Sequence, residues 1–491
     1  MYHSIQQYLT EDLPQIEQEI STFYQKPETF AHFARTVKES MLQLGCRILA
    51  EELQLMDQAI RSSQWRKREW SIVRKDQTTL LTSVGMVRYE KTLFQNKETE
   101  ESAYLLDRLL KQKPHERMTA DAEAELYEEA VQSSYQKSGV ECVPGQLVSR
   151  ETVKNKIHAL EFPKEEAEAE KKRVKRLYVD ADEDHIALQF LEEKGDVKRS
   201  EKGHKNNGCL VKLVYVYEGS EEESETNHRR RLKNVHYFGG IYEGRKGNQE
   251  LWEEVNAYIE SHYELEEDGH ILINGDGGSW IRRGQEVLGK QAVLLLDGFH
   301  QEKYIRNASG HMGEQKEAIR EQMKQAAKEA DRKEMEKLFE TLEQEATTEE
   351  VKKRVETGKR YLLENWERIR QGKQYEKERH GCSAEGHVSH RLSARMSSRP
   401  MGWSKRGADR MGRLRLYAAN GGDMLKLAEY QRSRVREPKQ PEESWCSAEA
   451  ILRSEKQAKK ELERNYDRIQ KSLGSAQMKR MVGIMLQVGN L

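Results

Sequence analysis

The run Ile271–Ile281, ILINGDGGSWI, constrains the fold of this chain more than any other stretch. Three apolar residues lead into NGDGG (residues 274–278), which predicts a short buried strand that ends in a sharp turn. Asp276 would follow the end of that strand, where ligands and metal ions commonly bind in open α/β sheets. The alternative is that Asp276 is a turn aspartate whose side chain only accepts hydrogen bonds from its own backbone. The rest of the sequence is needed to choose between these two roles.

Composition sets the broad class of the protein. The chain has 491 residues, of which 34% are charged and 36% hydrophobic, and its net charge is −1. Any surface for nucleic acid must therefore be a local patch. The five cysteines include no C-x-x-C pair, which argues against a disulfide framework or a zinc finger. Without an apolar run of about 18 residues or a signal-peptide pattern, a cytoplasmic protein without a membrane partner is expected.

Periodicity predicts three different segments in the first third of the chain. Residues 1–65 have the spacing of amphipathic helices, and residues 66–118 predict a β-hairpin around Gly85 followed by a helical linker. Residues 119–162 predict a helix-turn-helix-like DNA-binding segment, in which residues 126–140 belong to one helix and Ser149 caps the second helix. An ordinary helical pair is the alternative. The candidate DNA contacts on the capped helix are Arg150, Lys154 and Asn155.

The middle of the chain predicts a mixed sheet. Residues 177–310 give three strands, a helix, a fourth strand, further helical material and a fifth strand, which is the order expected of a ribonuclease-H-like mixed β-sheet. The predicted fold class is therefore α+β. Residues 311–378 predict a helical insertion, residues 379–423 the last part of the core, and residues 424–491 a C-terminal helical region. The insertion contains two apolar stripes at helical spacing, one over residues 335–342 and one over residues 355–369.

A basic segment follows the predicted insertion. Residues 391–415 contain eight Arg or Lys against one acid, Asp409, and this excess favours a polyanionic partner. The candidate DNA contacts are Arg391, Arg395, Arg399, Lys405 and Arg406. The first three are four residues apart, which predicts one stripe on a helix that Glu385 opens. Trp403 is expected to pack into the core, and stacking on an unpaired base is the alternative.

Three carboxylates are candidates for a metal site: Asp182 at the end of the first core strand, Asp276 after the fourth, and Glu385 at a helix start. Carboxylate oxygens suit hard cations such as Mg²⁺. Two such ions could activate an attacking hydroxyl and stabilise the leaving 3′ oxygen of a phosphodiester. Asp180, Asp182 and Asp184 share one face of an extended strand, so geometry alone leaves the first carboxylate open.

Four blocks of the sequence resemble the DDE transposases of bacterial insertion sequences, and the ISLre family most closely. They are LYVDADEDHIALQ, INGDGGSWI, LLLDGFHQEKYI and GCSAEGHVSHRLSARMSSRPMGWSKRGADRM. The resemblance implies a ribonuclease-H-like catalytic core with a helical insertion before the final glutamate. It places the catalytic and metal-binding triad on Asp182, Asp276 and Glu385, with Asp180 as the alternative first ligand.

The same resemblance implies a cofactor, partners and a further catalytic residue. It implies two Mg²⁺ or Mn²⁺ ions, double-stranded DNA from transposon ends and target, a homo-oligomer assembled on DNA, and a bacterial, nucleoid-associated location. The run Asp297–His300, DGFH, looks like the Asp-x-x-His element of Mutator-like relatives, so His300 could contact the scissile phosphate or orient a carboxylate. A packed histidine at a strand end is the alternative.

The expected function is that of a transposase, which cleaves DNA at transposon ends and joins the freed 3′ hydroxyl to target DNA in a metal-dependent reaction. Two alternatives stay open. A ribonuclease-H-like nuclease without strand transfer would use the same triad, and a non-catalytic DNA-binding protein would need none of it.

Overall fold

The computed structural model describes residues 3–113, 115–164, 170–189, 207–224, 227–399 and 401–434. The chain divides into two compact units. The first unit comprises residues 1–130, 134–153 and 424–491, and the second comprises residues 131–133 and 154–423. Of the predicted C-terminal helical region, residues 435–491 lie outside the described residues. No helix in the described ranges combines the length and the apolar character needed to cross a membrane.

The elements before residue 160 are mostly helices, with one three-stranded sheet. In chain order they are α1 (His3–Gln7), α2 (Leu13–Gln25), α3 (Phe30–Ser62), α4 (Gln64–Glu69), β1 (Trp70–Thr82), β2 (Gly85–Asn96), β3 (Ser102–Tyr104), α5 (Leu105–Leu109), α6 (Ala120–Gln132), α7 (Tyr135–Glu141) and α8 (Arg150–Ala159).

The elements after residue 170 alternate between strands and helices and then become helical. They are β4 (Lys172–Ala187), β5 (Gly208–Tyr217), β6 (Ser220–Ser224), β7 (Asn227–Leu232), β8 (His236–Gly240), α9 (Gly244–His262), β9 (Tyr263–Gly275), α10 (Ser279–Leu288), β10 (Ala292–Leu296), α11 (Gly298–Ser309), α12 (Lys316–Lys328), α13 (Arg332–Gln344), α14 (Glu349–Glu364), α15 (Trp366–Gln374), α16 (Ala384–Val388), α17 (Ala394–Met396), α18 (Lys405–Ala419) and α19 (Met424–Ser433).

The predicted β-hairpin is present in the first unit. Strands β1 and β2 pair antiparallel, with Thr82 opposite Gly85 at the turn. Gly85 has φ +147°, which a residue with a side chain rarely adopts, so glycine suits this turn. The short strand β3 adds to β2 and was not predicted, because three residues carry no readable alternation. The hairpin contributes Val87, Tyr89 and Phe94 of β2 to the buried core, together with Trp70 and Leu80 of β1.

The helices between residues 119 and 162 differ from the prediction in two respects. A single helix was expected over residues 126–140, but the chain breaks after α6, and Ser134 caps α7 by accepting from the Lys137 backbone N–H at 3.3 Å. The predicted cap on α8 is confirmed, since Ser149 Oγ accepts from the Thr152 N–H at 3.1 Å. Residues 142–149 connect α7 to α8, and this is longer than the roughly three- to four-residue turn of a helix-turn-helix.

A five-stranded mixed sheet forms the centre of the second unit. Its strand order is β10-β9-β4-β5-β8. Strands β5 and β8 run antiparallel to their neighbours, whereas β9 is parallel to β4, and β10 is parallel to β9. All five strands predicted between residues 177 and 310 are therefore present in a mixed α+β fold. The separate hairpin of β6 and β7 was not predicted.

The predicted helical stretch over residues 311–378 is observed as helices α12 to α15. The two apolar stripes read from the sequence face one another in a single buried cluster. Their members are Met335, Leu338, Phe339, Leu342, Val355, Leu362, Trp366 and Ile369. The cluster also contains Leu296 at the end of β10 and Ile305 in α11. These helices therefore pack against the end of the sheet and hold the residues that follow β10 in place.

Candidate active site at the end of the sheet

Parallel pairing brings Asp182, Asp276 and Asp297 to the same end of the sheet. Asp180 in β4 is in register with Asn274 in β9. Asp182 and Asp276 each lie two residues further along two parallel strands, which run about 4.8 Å apart. In β10, Leu296 is in register with Gly275, and the Asp297 N–H donates to the Gly275 carbonyl at 2.9 Å. Asp297 therefore emerges beside the turn that carries Asp276.

The turn after Asp276 is held in place from two sides. Asp276 Oδ1 accepts from the Gly278 N–H at 2.7 Å, and the Asp276 carbonyl accepts from the Tyr361 hydroxyl at 2.7 Å. Gly277 has φ +86°, and a Cβ there would overlap the Arg368 guanidinium and lie 2.5 Å from Asn365 Oδ1. Only glycine fits this position. Among the described residues, this turn donates a hydrogen bond to Oδ1 of Asp276 and none to Oδ2.

Asp182 carries a negative charge with little compensation. Its Oδ1 accepts from the Glu183 N–H at 2.8 Å. Burial raises the pKa of Asp182 to about 6, with further increases from the carboxylates of Glu385 and Asp276 and partial opposition from that N–H and from His300. A cation bound here would relieve both the burial and the repulsion.

His300 lies at the same site and is oriented by Asp297. Asp297 caps α11 by accepting from the Phe299 N–H at 3.1 Å, and its Oδ2 bonds His300 Nδ1 at 2.9 Å. This bond raises the pKa of His300 against the effect of burial, and the charges of Asp182 and Asp276 act in the same direction. Because Nδ1 is engaged, Nε2 is the ring nitrogen left for another partner.

Asp180, the alternative first ligand, has a different environment. It is fully buried and accepts four hydrogen bonds that join β5, β9 and the start of α16. The donors are the Tyr215 hydroxyl at 2.7 Å, the Tyr217 hydroxyl at 3.3 Å, the Asn274 side chain at 2.7 Å and the Ser383 N–H at 3.2 Å. Burial raises the pKa of Asp180, and these donors oppose that rise.

The third aspartate of the strand is also engaged in the fold. Asp184 is buried and accepts from the Ser397 hydroxyl at 2.9 and 3.0 Å. Asp182 therefore differs from Asp180 and Asp184. Within the described residues its carboxylate accepts from the Glu183 backbone N–H and from no side chain. The geometry favours Asp182 over Asp180 as the carboxylate that is free to bind a cation.

Glu385 is exposed on the short helix α16, which packs on β4. The His387 ring stacks on Tyr215 at 4.4 Å, and its Nδ1 bonds the Tyr237 hydroxyl at 2.9 Å. Burial lowers the pKa of His387 to about 4. These contacts hold α16 on the face of the sheet that carries Asp180 and Asp182, and the charge of Glu385 reaches Asp182.

The donor chemistry fits a hard cation without forming a closed cage. In the described part of the chain, no group of three or more His, Cys, Asp or Glu is placed so that it could hold a metal ion. Mg²⁺, however, commonly takes one or two carboxylates and fills its remaining positions with water and substrate phosphate. Asp182 and Asp276, with the raised pKa of the first, fit Mg²⁺ or Mn²⁺ bound in that open manner.

The basic segment departs from the predicted stripe. Instead of one helix, the chain forms α16, a π-helical turn over Ser389–Ser393 and the short α17, which ends at Met396. Arg395 is buried, with its guanidinium 5.0 Å from the Trp403 ring centroid. Arg391 lies 5.1 Å from the Tyr237 ring centroid, and Arg399 is exposed. The predicted single stripe is wrong. The π-helical turn has more residues per turn than an α-helix, so side chains four residues apart no longer lie on one face.

Other cations of this segment are also used within the second unit. Lys405 pairs with Glu243, and Arg406 Nε donates to the His158 carbonyl at 2.7 Å. Arg413 pairs with Asp409 at 3.2 Å. Packing of Trp403 is confirmed, since its indole is buried and donates to the Met396 carbonyl at 2.9 Å. Contact of this segment with DNA stays a prediction. Arg399 is the best candidate among the predicted contacts because its side chain is exposed.

The three candidate DNA contacts on α8 lie beside its buried face. Val153 and Ile157 are fully buried, whereas Arg150 and Asn155 are exposed and Lys154 is half-buried. The residues that sequence reasoning missed are the donors around Asp180. The alternating tyrosines of VYVY in β5 were the available signal, because Tyr215 pairs directly with Asp180.

The comparisons with known proteins cover this whole site. A model of the uncharacterised protein family UPF0236 matches residues 28–433. The chain belongs to the UPF0236 family. Two UPF0236 proteins of Caldanaerobacter subterraneus subsp. tengcongensis are each 35% identical over 394 residues, which is 80% of this chain and 78% and 79% of theirs. A third relative, "UPF0236 protein in vanSb 3'region" of Streptococcus gallolyticus, is 25% identical over 389 residues, covering 76% and 79%.

The family match corrects the resemblance drawn from the sequence blocks. The prediction that this chain is a DDE transposase of the ISLre family is wrong, because the match is to UPF0236 and the relatives carry that family's name. The names of three Caldanaerobacter relatives each join several locus designations of one genome, eleven in the first, four in the second and two in the third.

Proposed function

We propose that this UPF0236 protein cleaves DNA in a metal-dependent reaction and joins the freed 3′ end to target DNA. The observation that carries the proposal is the placement of Asp182 and Asp276 at the same end of two parallel strands, with the charge of Asp182 largely uncompensated. A partly buried pair of carboxylates at a strand end is a candidate functional site on physical grounds.

Two further observations support the proposal. The second unit has three antiparallel strands followed by a helix, a parallel strand, a helix and another parallel strand, which is the arrangement expected of a ribonuclease-H-like core. The joined locus designations of three relatives indicate one protein encoded at several places in a genome. Repeated copies of a gene are what an enzyme that moves its own DNA would leave behind.

Each site residue has a defined part in the proposed reaction. Asp182 and Asp276 would hold Mg²⁺ or Mn²⁺, up to two ions, and Glu385 adds a third carboxylate on the exposed side. Bound cations supply activation of the attacking hydroxyl and stabilisation of the leaving 3′ oxygen. Asp297 keeps His300 oriented, and the raised pKa of His300 favours the protonated ring. Its Nε2–H can then donate to an oxygen of the scissile phosphate.

The substrate in this proposal is double-stranded DNA, and joining two ends to one target favours assembly of more than one copy on the DNA. The exposed Arg150, Asn155 and Arg399 are the side chains best placed for contact with the phosphate backbone.

The test is a cleavage and joining assay with the full chain. A labelled duplex that contains the DNA flanking the chain's own gene is incubated with Mg²⁺ and a target plasmid, and products are separated on denaturing gels. The wild type should yield nicked and joined products. Asp276→Asn keeps the oxygen that accepts from Gly278 but removes the charge, so we expect a loss of at least about 10³-fold, corresponding to about 4 kcal/mol.

Asp268→Asn is the matched control on the same strand, because Asp268 is exposed and pairs with Lys175 at 2.6 Å. This variant should retain wild-type activity. Full activity of a folded Asp276→Asn variant would overturn the proposal. Cleavage without joined products would identify a nuclease without strand transfer, and DNA binding without cleavage would identify a non-catalytic DNA-binding protein.

A further inference from the structure

A cavity of about 200 Å³ lies in the second unit, beside the end of β10. It is bounded by the last residue of β10, by α11 and α12, and by α15 with the turn that follows it. Two of its lining residues, Leu296 and Gln301, lie directly before Asp297 and directly after His300 in the chain. The cavity is therefore next to the candidate active site.

The lining of this cavity is strongly cationic. Its charged members are Lys324, Lys328, Arg368, Lys373 and Arg379, against the single acid Glu376. Two of the lysines are neutralised, since Lys324 pairs with Glu302 at 3.1 Å and Lys373 with Glu329 at 3.0 Å. Within the described ranges, no ion pair joins Lys328 or Arg379 to an acid. A net positive charge therefore remains.

Arg368 joins the cavity to the turn after Asp276. Its guanidinium donates to the Gly277 carbonyl at 3.1 Å and to the Asn365 side chain. Both acceptors are neutral, and among the residues that the structure describes, no acid forms an ion pair with Arg368. Burial and the nearby Arg282 lower the pKa of Arg368 to about 10. The nearby Tyr361 and Asp276 offset this lowering only in part. A partly buried cation without an ion-pair partner is unfavourable, so an anion in the cavity would stabilise Arg368.

We propose that this cavity binds a phosphate group of the DNA strand that engages Asp182 and Asp276. This inference rests on the proposed function for the identity of the strand. Phosphate suits the cavity because a guanidinium fork and ammonium groups are the usual partners of phosphate oxygens. The shared contact of Arg368 and Asp276 with one glycine turn couples the occupied cavity to the position of the carboxylate.

The test uses the double variant Lys328→Ala, Arg379→Ala in the full chain. Within the part of the chain that the structure describes, no hydrogen bond or ion pair joins either side chain to the turn after Asp276, so the site should stay intact. The matched control is Lys333→Ala, Arg354→Ala, which removes the same charges from exposed positions of the neighbouring helices α13 and α14. Binding is measured in EDTA with two probes, inorganic phosphate alone and a DNA duplex across a salt series.

We expect the cavity variant to bind inorganic phosphate at least about 10-fold more weakly. Its DNA binding should show a salt slope that is smaller by about one unit for each backbone phosphate that the variant no longer neutralises. The control variant should match the wild type with the first probe. The proposal is overturned when cavity and control variants behave alike with both probes. Weaker phosphate binding with an unchanged DNA slope also overturns it, because the cavity would then serve a free phosphate compound.

These measurements need neither metal nor cleavage. A failure of the proposed chemistry would therefore appear in the cleavage assay, whereas a failure of the cavity proposal appears in binding only.

Discussion

Strand β4 carries two carboxylates, Asp180 and Asp182, in opposite environments, which we call the inner and the outer level. The inner level, at Asp180, surrounds a fully buried acid with two tyrosines, Asn274 and a backbone N–H. The outer level, two residues further along β4, leaves Asp182 with one N–H from its own neighbour and other carboxylates nearby. The comparison shows that two acids on one strand face can have different environments, and that the supply of hydrogen-bond donors distinguishes them.

The inner level should be structural, and its removal should cause the largest change in stability. Asp180→Ala leaves four donors without their acceptor in a buried site. Since each buried unsatisfied group costs about 1–3 kcal/mol, we expect the free energy of unfolding of the second unit to fall by about 3 kcal/mol or more. Asp182→Ala should change it far less. Chemical unfolding in EDTA, followed by circular dichroism, measures both.

Equal destabilisation in the two variants would remove the distinction between the levels. A stable Asp180→Ala variant that no longer cleaved DNA would go further and assign the catalytic role to Asp180.

The outer level should also give a stability change with pH, of smaller size. The pKa of Asp182 is raised to about 6 in the folded protein, above the value of about 3.9 for an unfolded chain. A raised pKa means that the stabilising contribution is fully present below about pH 4 and is lost as pH rises through 6. Wild type should therefore lose about 2 kcal/mol relative to Asp182→Asn between these pH values, measured by unfolding in EDTA.

Asp268→Asn provides the opposite sign. Its partner Lys175 lowers the pKa of Asp268, so the contribution of Asp268 is present above the unfolded pKa and is lost as pH falls. A wild type that gains stability over Asp182→Asn as pH rises from 4 to 6 would contradict the uncompensated charge assigned to the outer level.

The sequence predicted the elements of this protein better than their contacts. The strands between residues 177 and 310, the Ser149 cap and the apolar stripes of the insertion follow from local periodicity. The donors to Asp180 come from three other strands or segments, the farthest at Ser383, and strand register is not written in local spacing. Even spacing on one strand face therefore left Asp180 and Asp182 equivalent.

The basic segment shows the same limit from the opposite direction. Four-residue spacing suggested one exposed stripe, yet Arg395 is buried against Trp403 because a π-helical turn interrupts the helix. The cationic cavity illustrates the complementary case, since Lys328 and Arg379 lie far apart in sequence and meet only in the fold. Charge counts along a chain do not show which cations have found partners.

The most direct test of the account is the binding of Mn²⁺ to the outer level in the absence of DNA. The carboxylates of Asp182 and Asp276 should bind Mn²⁺ in the wild type, as titrated by electron paramagnetic resonance of the free ion. Asp182→Asn and Asp276→Asn should each weaken that binding at least about 10-fold, since each removes a charged ligand that a hard cation prefers. Asp268→Asn should bind like the wild type. Mn²⁺ binding of equal affinity in all four proteins would contradict the placement of a cation site at the end of the sheet.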